Sequence, residues 1–418
     1  MKFIHAADIH LDSPLTGLAS YLNAPVDTLR TATRDAFANL VTEAVDAAVD
    51  FMVIAGDLYD GNWRDFNTGH FFVAQMGRLQ RAGIPVYLLY GNHDAESEMT
   101  RRLHLPPNVH LFDTRKPSTH RIDALQVALH GRSFKDAATL DNLAVGYPQA
   151  VPGWLNIGVL HTALQGDAAH ARYAPCSLAE LAALGYDYWA LGHVHAHAVL
   201  QQSPWVVFPG NLQGRHARET GPRGAVLVSA SGSRITAVER LIVDVLRWER
   251  LVVDVSTAAD LPAVLQLCGQ HLQALLDGCD HHKPVALRVQ ITGRSAAHGA
   301  LFGQRAQLRE DLLAQAAAMG GERLWIEKVQ VLTTPAADVA QVQGRADAIA
   351  DLQALLAQAP ADAAFMQSLA EDLQLLAHKA PLELSEAVPE LKAIRAGDVA
   401  ALVQAVTPAL IAQLAQAH

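Results

Sequence analysis

The feature that most restricts this chain is a set of five short polar blocks, each closing an apolar run that reads as a β-strand. They are Asp8-Ile9-His10, Gly56-Asp57-Leu58-Tyr59-Asp60, Gly91-Asn92-His93-Asp94, His161, and Gly192-His193-Val194-His195. The runs ahead of them are residues 3–6, 51–55, 86–89, 157–160 and 188–191. Helical patterns lie between. Residues 28–48 place Phe37, Val41, Ala44, Val45 and Ala48 on one face. Phe72, Val73, Met76 and Leu79 mark a second helix, ended by Gly83. Ser177 with Glu180 is a capping-box signature for a helix running to Leu184. Strand and helix therefore alternate, and every polar block follows the carboxyl end of a strand. That edge is where open α/β sheets place their sites.

The blocks carry one kind of chemistry. Carboxylate, amide oxygen and imidazole together suit two adjacent first-row cations such as Mn²⁺, Fe²⁺ or Zn²⁺. Asp8 and His10 can face one cation, and the carboxylate of Asp57 has two oxygens with which to bridge both. Gly56 lets the backbone turn closely there. Asn92, His161 and His193 suit the second cation, and His195 reaches the first. Alternation along an extended segment would send His193 and His195 to one face. Two cations sharing a carboxylate lower the pKa of a bound water and serve in-line displacement at phosphorus. His93 is better cast as the acid that protonates the leaving oxygen, with Asp94 orienting it. An isolated Asp-x-His is common among surface residues, whereas GNHD after an apolar strand and GH-x-H with an upstream histidine are specific. Burying that many polar groups unpaired would be costly.

Bulk properties exclude several classes. At 418 residues the chain should form two or three domains. Half the residues are hydrophobic and 18% charged, a globular composition. The apolar stretch 399–417 is broken by Gln404, Pro408 and Gln413, so no membrane span is expected. A strand that starts at the N-terminus leaves no room for a signal peptide. Three scattered cysteines, Cys176, Cys268 and Cys279, fit a reducing cytoplasm. A net charge of -10 supplies no global field for a polyanion, so any nucleic-acid contact needs a local patch. The best one is Arg215, His216, Arg218 and Arg223. Cys279-Asp280-His281-His282 reads as a solvated turn, and His70, His110 and His120 as surface residues.

After about residue 235 the pattern changes. Residues 241–245, 251–255, 285–291 and 324–332 read as strands and 261–276 as a helix, together a small α+β domain over 236–335. From 336 to 418 only helical stripes remain: Ile349, Leu352 and Leu356; Phe365, Leu369, Leu373 and Leu376; Leu402, Val406, Leu410 and Leu414. Pro360, Pro381 and Pro389 separate them.

In order and spacing, D-x-H, GD-x-x-D, GNHD, H and GH-x-H resemble the calcineurin-like metallophosphoesterase superfamily. The opening His5-Ala6-Ala7-Asp8-Ile9-His10-Leu11-Asp12-Ser13-Pro14 resembles its DNA-repair exonuclease branch, most of all the YhaO-like members. Phe208-Pro209-Gly210-Asn211 with Glu219 and Gly224 resembles that branch's later motif. The likeness is strong over residues 1–230 and architectural beyond.

The resemblance implies an α/β fold: a β-sandwich flanked by helices over 1–235, then a small α+β capping domain and a helical C-terminal region. It also implies two metal ions, most often Mn²⁺. One would lie on Asp8, His10, Asp57 and His195, the other on Asp57, Asn92, His161 and His193, with His93 catalytic. Asp60 stands where some relatives carry a second histidine near the phosphate. The implied activity is cleavage of DNA phosphodiester bonds, 3′-to-5′ from ends and endonucleolytic on single strands. The implied partners are DNA, an ATPase of the structural-maintenance type, and a second copy of the chain as a homodimer. No GxxxxGK[ST] loop is present, so ATP would be bound by the partner. The metal site alone leaves open a phosphoesterase of nucleotides, cyclic nucleotides or phosphoproteins, and a scaffold subunit recruiting an ATPase.

Overall fold

The computed structural model describes residues 1–13, 15, 26–61, 66–96, 103–164, 173–278, 283–336, 354–379, 389–404 and 406–407. Pro14, the 279–282 turn, Ile349, Leu352, Pro381, Leu410 and Leu414 lie outside the described residues. The chain forms two compact units, Met1–Glu249 with Lys283–Ala286, and Arg250–His282 with Leu287–His418.

The first unit contains two six-stranded sheets. One is ordered β12-β11-β1-β2-β3-β4, from Arg234–Ile242, Gly224–Ser231, Lys2–Ala6, Phe51–Ala55, Val86–Leu89 and Val109–Leu111. The other is ordered β5-β6-β7-β8-β10-β9, from Ser118–Ile122, Val127–Gly131, Leu155–His161, Tyr188–Gly192, Trp205–Phe208 and Ala198–Gln202. The central strands β1, β2 and β3 run parallel, as do β7, β8 and β10. Strands buried on both faces need continuous apolar runs, which is how these segments read in sequence.

Hydrophobic burial fixes the layering. Phe3, Phe51, Val53 and Leu89 of one sheet pack against Leu129, Ile157, Val159 and Tyr188 of the other, closing a sandwich. The outer face of the first sheet is covered by α1 (Val26–Asp46) and α2 (Phe66–Arg81), through Ala36, Phe37, Leu40, Val41, Ala44, Phe72, Met76 and Leu79. Val45 and Ala48, read from sequence as part of that face, are exposed. The helix ends at Asp46, and Ala48 has a φ of 47°, which rotates it out of helical phase. The outer face of the second sheet is covered by the helix Leu178–Ala183, whose N-terminus carries the expected capping box between Ser177 and Glu180. The fold is thus an α/β sandwich of two sheets flanked by helices.

Leu241, taken from sequence as part of a strand in the second domain, instead lies in β12, paired with Ala225 of β11. His110 and His120, expected at the surface, are half-buried in a ring cluster with Tyr87 and Phe112.

His5 is buried in this sandwich and bridges the two sheets. Its Nδ1 accepts from the Tyr188 hydroxyl at 2.9 Å, and its Nε2 donates to the Leu191 carbonyl at 3.0 Å. Burial pushes its pKa down to about 3, although the Leu191 bond opposes this. The unfolded chain takes up a proton on this histidine near its ordinary value of 6.5, which the native state refuses until about 3. Stability is therefore present at neutral pH and lost as pH falls through that window. In excess chelator, His5→Phe should reduce the acid-side slope by about 1.4 kcal/mol per pH unit, read from urea titrations between about pH 6 and about pH 4. An unchanged slope would show that His5 does not stay neutral in the native state.

Strands β13 (Arg247–Asp254), β14 (Val285–Ser295) and β15 (Leu324–Pro335), all but the first residues of β13 and β14 in the second unit, form a three-stranded sheet in that order. Leu287, Val289 and Ile291 of β14 are buried, while Arg288, Gln290 and Thr292 are half-buried between them. This is the expected alternation, and Arg288 forks onto Glu327 at 2.7 and 2.8 Å. The helices Leu261–Gly278 and Arg305–Gly320 bury Val264, Cys268, Leu272, Leu308 and Leu312. Helices Ala363–Lys379 and Pro389–Arg395 follow, a helical C-terminal region. No helix among the described residues is long and apolar enough to cross a membrane.

Candidate metal centre

The site is assembled from the loops that leave the carboxyl ends of β1, β2, β3, β7 and β8. The loop after β1 is laced to the loop after β2 by backbone bonds: Asp8 N to Gly56 O and His10 N to Asp57 O at 3.0 Å, and Leu11 N to Leu58 O at 2.9 Å. Several residues here adopt backbone conformations unusual for L-residues, with φ of 51° at Asp8, 46° at His10, 51° at Asp57 and 101° at His193. Each costs on the order of 1–3 kcal/mol and persists only where the surroundings over-determine it. Gly56 has a φ of 97°, and a Cβ there would run into the His161 ring.

These loops converge. Ligand-type atoms of Asp8, His10 and His195 lie within 4.8 Å of one another, as do those of Asp57, His161 and His193, and those of His10, Asp60 and His93. Asp57 sits between the clusters: its Oδ2 is 3.4 Å from His161 Nε2 and 3.9 Å from His10 Nε2. Its Oδ1 accepts the His93 amide at 3.0 Å, so a single oxygen faces both groups. Asn92 Oδ1 is 3.0 Å from His161 Nε2. Asp8 accepts the His193 amide on both oxygens. The positive φ at His193 breaks the extended alternation expected from sequence, so His193 joins the Asp57 cluster and His195 the Asp8 cluster.

The imidazoles are set for cations. His161 Nδ1 is 3.0 Å from the Ala55 carbonyl, His195 Nδ1 is 2.7 Å from Glu219, and His10 Nδ1 is 3.3 Å from Asp60. At His161 and His195 the acceptor fixes Nδ1 as the N–H and leaves Nε2 as a ligand atom. The Nε2 atoms of His10 and His195 then face each other at 3.2 Å, and His161 Nε2 faces an amide oxygen. Pairs of acceptors held this close call for positive charge between them. The donor set therefore fits two divalent cations, and the clusters indicate a binuclear site.

The electrostatics of the ligand side chains agree. Burial opposes charge on Asp57, yet His161, His10 and His93 hold its carboxyl well below the usual range. Burial likewise opposes charge on His161, and Asp57 and Asp8 outweigh it, raising its pKa to about 9. A proton there stands where a cation would compete for the same carboxylate. Burial pushes Asp8 up. It also takes His10 down to about 4, helped by Arg215.

Asp94 differs from its sequence assignment. Instead of backing His93, its carboxylate accepts three backbone amides, Leu58, Tyr59 and Gly91, at 3.0–3.2 Å. It pins the loop after β2 to the loop after β3, and burial with the nearby Asp57 charge pushes its pKa up to about 7. The carboxylate beside His93 is Asp60, 3.5 Å from Nδ1. The His93 side chain is 36% exposed, whereas Asp8, His10 and His161 are fully buried.

The basic segment separates into distinct environments. Arg223 donates to the carbonyls of His195 and Thr220 and to Asn211 Oδ1, so it braces the loop. His216 lies 3.7 Å from Glu219. Arg215 lies against the site, 3.2 Å from Ser13 Oγ and 3.4 Å from Asp60. Arg218 is exposed. Glu219 is the part sequence reasoning left without a role: besides His195 it binds Asn211 Nδ2 and the Arg215 amide, and despite burial His195 and Arg215 hold its carboxyl low. The signal was present in the Phe208-Pro209-Gly210-Asn211 run, another strand end (β10) parallel to β8.

A helix-flanked sandwich with aspartate, asparagine and histidine clusters at its strand ends defines a metallophosphoesterase, and the chain belongs to the calcineurin-like phosphoesterase family. Residues 1–197 match that family, and residues 248–334 match the middle domain of the metallophosphoesterase YhaO. The metallophosphoesterase YhaO of Bacillus subtilis is 35% identical over 298 residues, covering 70% of this chain and 72% of that protein. The DNA double-strand break repair protein Mre11 of Methanopyrus kandleri is 26% identical over 215 residues, 47% of this chain and 44% of that protein. Among solved structures, a dimetal phosphatase from Danio rerio is similar with a TM-score of 0.32 and 12% identity, over 55% of this chain and 92% of that one.

Proposed function

We propose that this chain is a Mn²⁺-dependent DNA phosphodiesterase that degrades DNA 3′-to-5′ from ends, cuts single strands internally, and acts in DNA repair in the cytoplasm. Fe²⁺ or Zn²⁺ could occupy the same ligands. The observation that carries the phosphodiesterase reading is Asp57 Oδ2, lying between two imidazole-rich clusters. The similarity to Mre11 supports DNA as the substrate.

In this reading Asp8, His10, Asp57 and His195 hold one cation and Asp57, Asn92, His161 and His193 the other. When bound, the pair supplies an ionised water at neutral pH and neutralises charge on the phosphoryl oxygens. The protein does the rest. Glu219 and the Ala55 carbonyl keep His195 and His161 in the ligating tautomer, and Asp60 lies 3.3 Å from His10 Nδ1. Asp60 faces His93 Nδ1, leaving Nε2 to deliver a proton to the leaving oxygen. Arg215 and the exposed Arg218 meet backbone phosphates, and Arg223 and His216 shape the loop that presents them. The helices beyond about residue 336 dock onto a structural-maintenance-type ATPase, and two copies of the chain pair.

A second reading has one observation behind it. The net charge of -10, with Arg223 committed to the loop, leaves few cations for a polyanion and favours a small nucleotide or phosphoprotein substrate. Metal-stripped protein, incubated with Mn²⁺ and end-labelled duplex, single-stranded DNA or bis-nitrophenyl phosphate, separates the two. Metal-dependent shortening of DNA from its 3′ ends is expected. Hydrolysis of the small diester with all DNA intact would reject the nuclease reading and keep the phosphoesterase.

A further inference from the structure

Asp12 lies just past the Asp8-Ile9-His10 block and is outside both metal clusters, yet it is among the most heavily held side chains near them. Arg34 of α1 forks onto it, Nε to Oδ1 at 2.6 Å and Nη2 to Oδ2 at 2.5 Å. Thr68 of α2 donates its hydroxyl to Oδ2 as well. The Asp12 amide donates to Thr33 Oγ1 of α1 at 3.0 Å. Two helices from the outer layer of the sandwich therefore grip one residue of the loop that carries Asp8 and His10.

The backbone gives that grip a purpose. Asp8, His10 and Asp12 have φ of 51°, 46° and 61°, three left-handed residues at alternate positions. Neighbouring left-handed residues of this kind relax unless the surroundings hold them. At the strand end the loop is held by its bonds to Gly56, Asp57 and Leu58. At its far end the side-chain anchors are Asp12 and, through a single contact from Arg215 at 3.2 Å, the Ser13 hydroxyl. Ser13, whose amide returns to the His10 carbonyl at 3.0 Å, closes the turn between anchor and ligand. A bidentate guanidinium–carboxylate pair is directional as well as strong, so it fixes orientation where a single contact would permit rotation.

We propose that the Arg34–Asp12–Thr68 clamp is a positioning device that sets the ligand geometry of the Asp8–His10–His195 cluster and thereby its affinity for a divalent cation. The proposal rests on the dimetal reading above. Residues that orient ligands without touching the metal typically change affinity by about ten- to a hundredfold when removed.

The test uses the full-length chain stripped of metal, the variants Arg34→Lys, Asp12→Asn and Thr68→Val, and Mn²⁺ alone as probe. Calorimetric titration of the wild type is expected to show two binding events. In the variants one event should weaken by about ten- to a hundredfold while the other stays within about threefold. The melting temperature without metal should stay within a few degrees, with the smallest shift in Thr68→Val, which loses one hydroxyl contact. Two undisturbed binding events would overturn the proposal. Equal weakening of both events together with a large fall in metal-free melting temperature would also overturn it, because that is the signature of general loosening. A wild type that takes up no cation would refute the dimetal reading, and the clamp with it.

Discussion

Asp57→Asn is expected to remove both cations and to lower phosphodiester hydrolysis by about four orders of magnitude, roughly 5 kcal/mol of transition-state stabilisation. The reason is the position of one atom. Oδ2 of Asp57 faces His161 on one side and His10 on the other, so it is shared by the two ligand sets. The Oδ1 atom is already committed to the His93 amide. An asparagine side chain can keep that amide bond through its oxygen, which preserves the turn between β3 and His93. It then places an NH₂ group where the shared oxygen stood. That group has no lone pair for a cation and donates to His161 Nε2, occupying a second ligand. The fold should survive, since Asp94 still ties Leu58 and Tyr59 to Gly91. Metal content by emission spectrometry, with hydrolysis of bis-nitrophenyl phosphate, checks both parts. A variant that retains two ions per chain would show that Asp57 is not the bridge.

How much of this could be read from the chain depended on how local the determinants were. The strands before Asp8, Asp57, Asn92, His161 and His193 are continuous apolar runs, and strand-then-ligand is a pattern within a few residues, so the meeting of these side chains was legible. The capping box at Ser177 was legible for the same reason. What was lost involves distant partners. Glu219 is separated from His195 by 24 residues, and only the return of β10 alongside β8 brings them together. Asp94 follows His93 directly, which invited the idea that it backs the imidazole. The backbone instead turns its carboxylate toward three amides, and Asp60 takes the place beside His93. The left-handed φ values at Asp8, His10 and Asp57 carry no glycine signature, so nothing in the residue types announced them. In the basic segment, charge was visible but not its use: Arg223 spends its guanidinium on carbonyls, a fact that belongs to the folded loop.

His93→Ala is expected to leave cation binding intact and to reduce turnover by about a hundred- to ten-thousandfold, the usual range for losing a general acid. Its ring touches His10 edge-on and lies near Asp60, but the two cation-ligand sets are complete without it. The backbone amide of residue 93 holds Asp57 Oδ1, and alanine keeps that amide. The ring is more exposed than any cation-facing imidazole, its centroid 4.9 Å from that of His10 in a T-shaped contact, and Asp60 lies beyond its Nδ1. A side chain in that place can reach a leaving group without being a ligand. Loss should therefore fall on kcat with KM little changed, since the missing interaction is made only as the leaving oxygen takes up its proton. Substrates whose leaving group needs no proton sharpen the result. Bis-nitrophenyl phosphate, with its acidic nitrophenol, should suffer much less than a DNA 3′ oxygen, whose alkoxide cannot depart unprotonated. Equal losses on both substrates would place His93 in phosphate binding, and undiminished DNA hydrolysis would remove it from the chemistry. Asp60→Asn should share the substrate dependence of His93→Ala with a smaller effect, because it removes the negative charge 3.5 Å from the imidazole and leaves the acid in place.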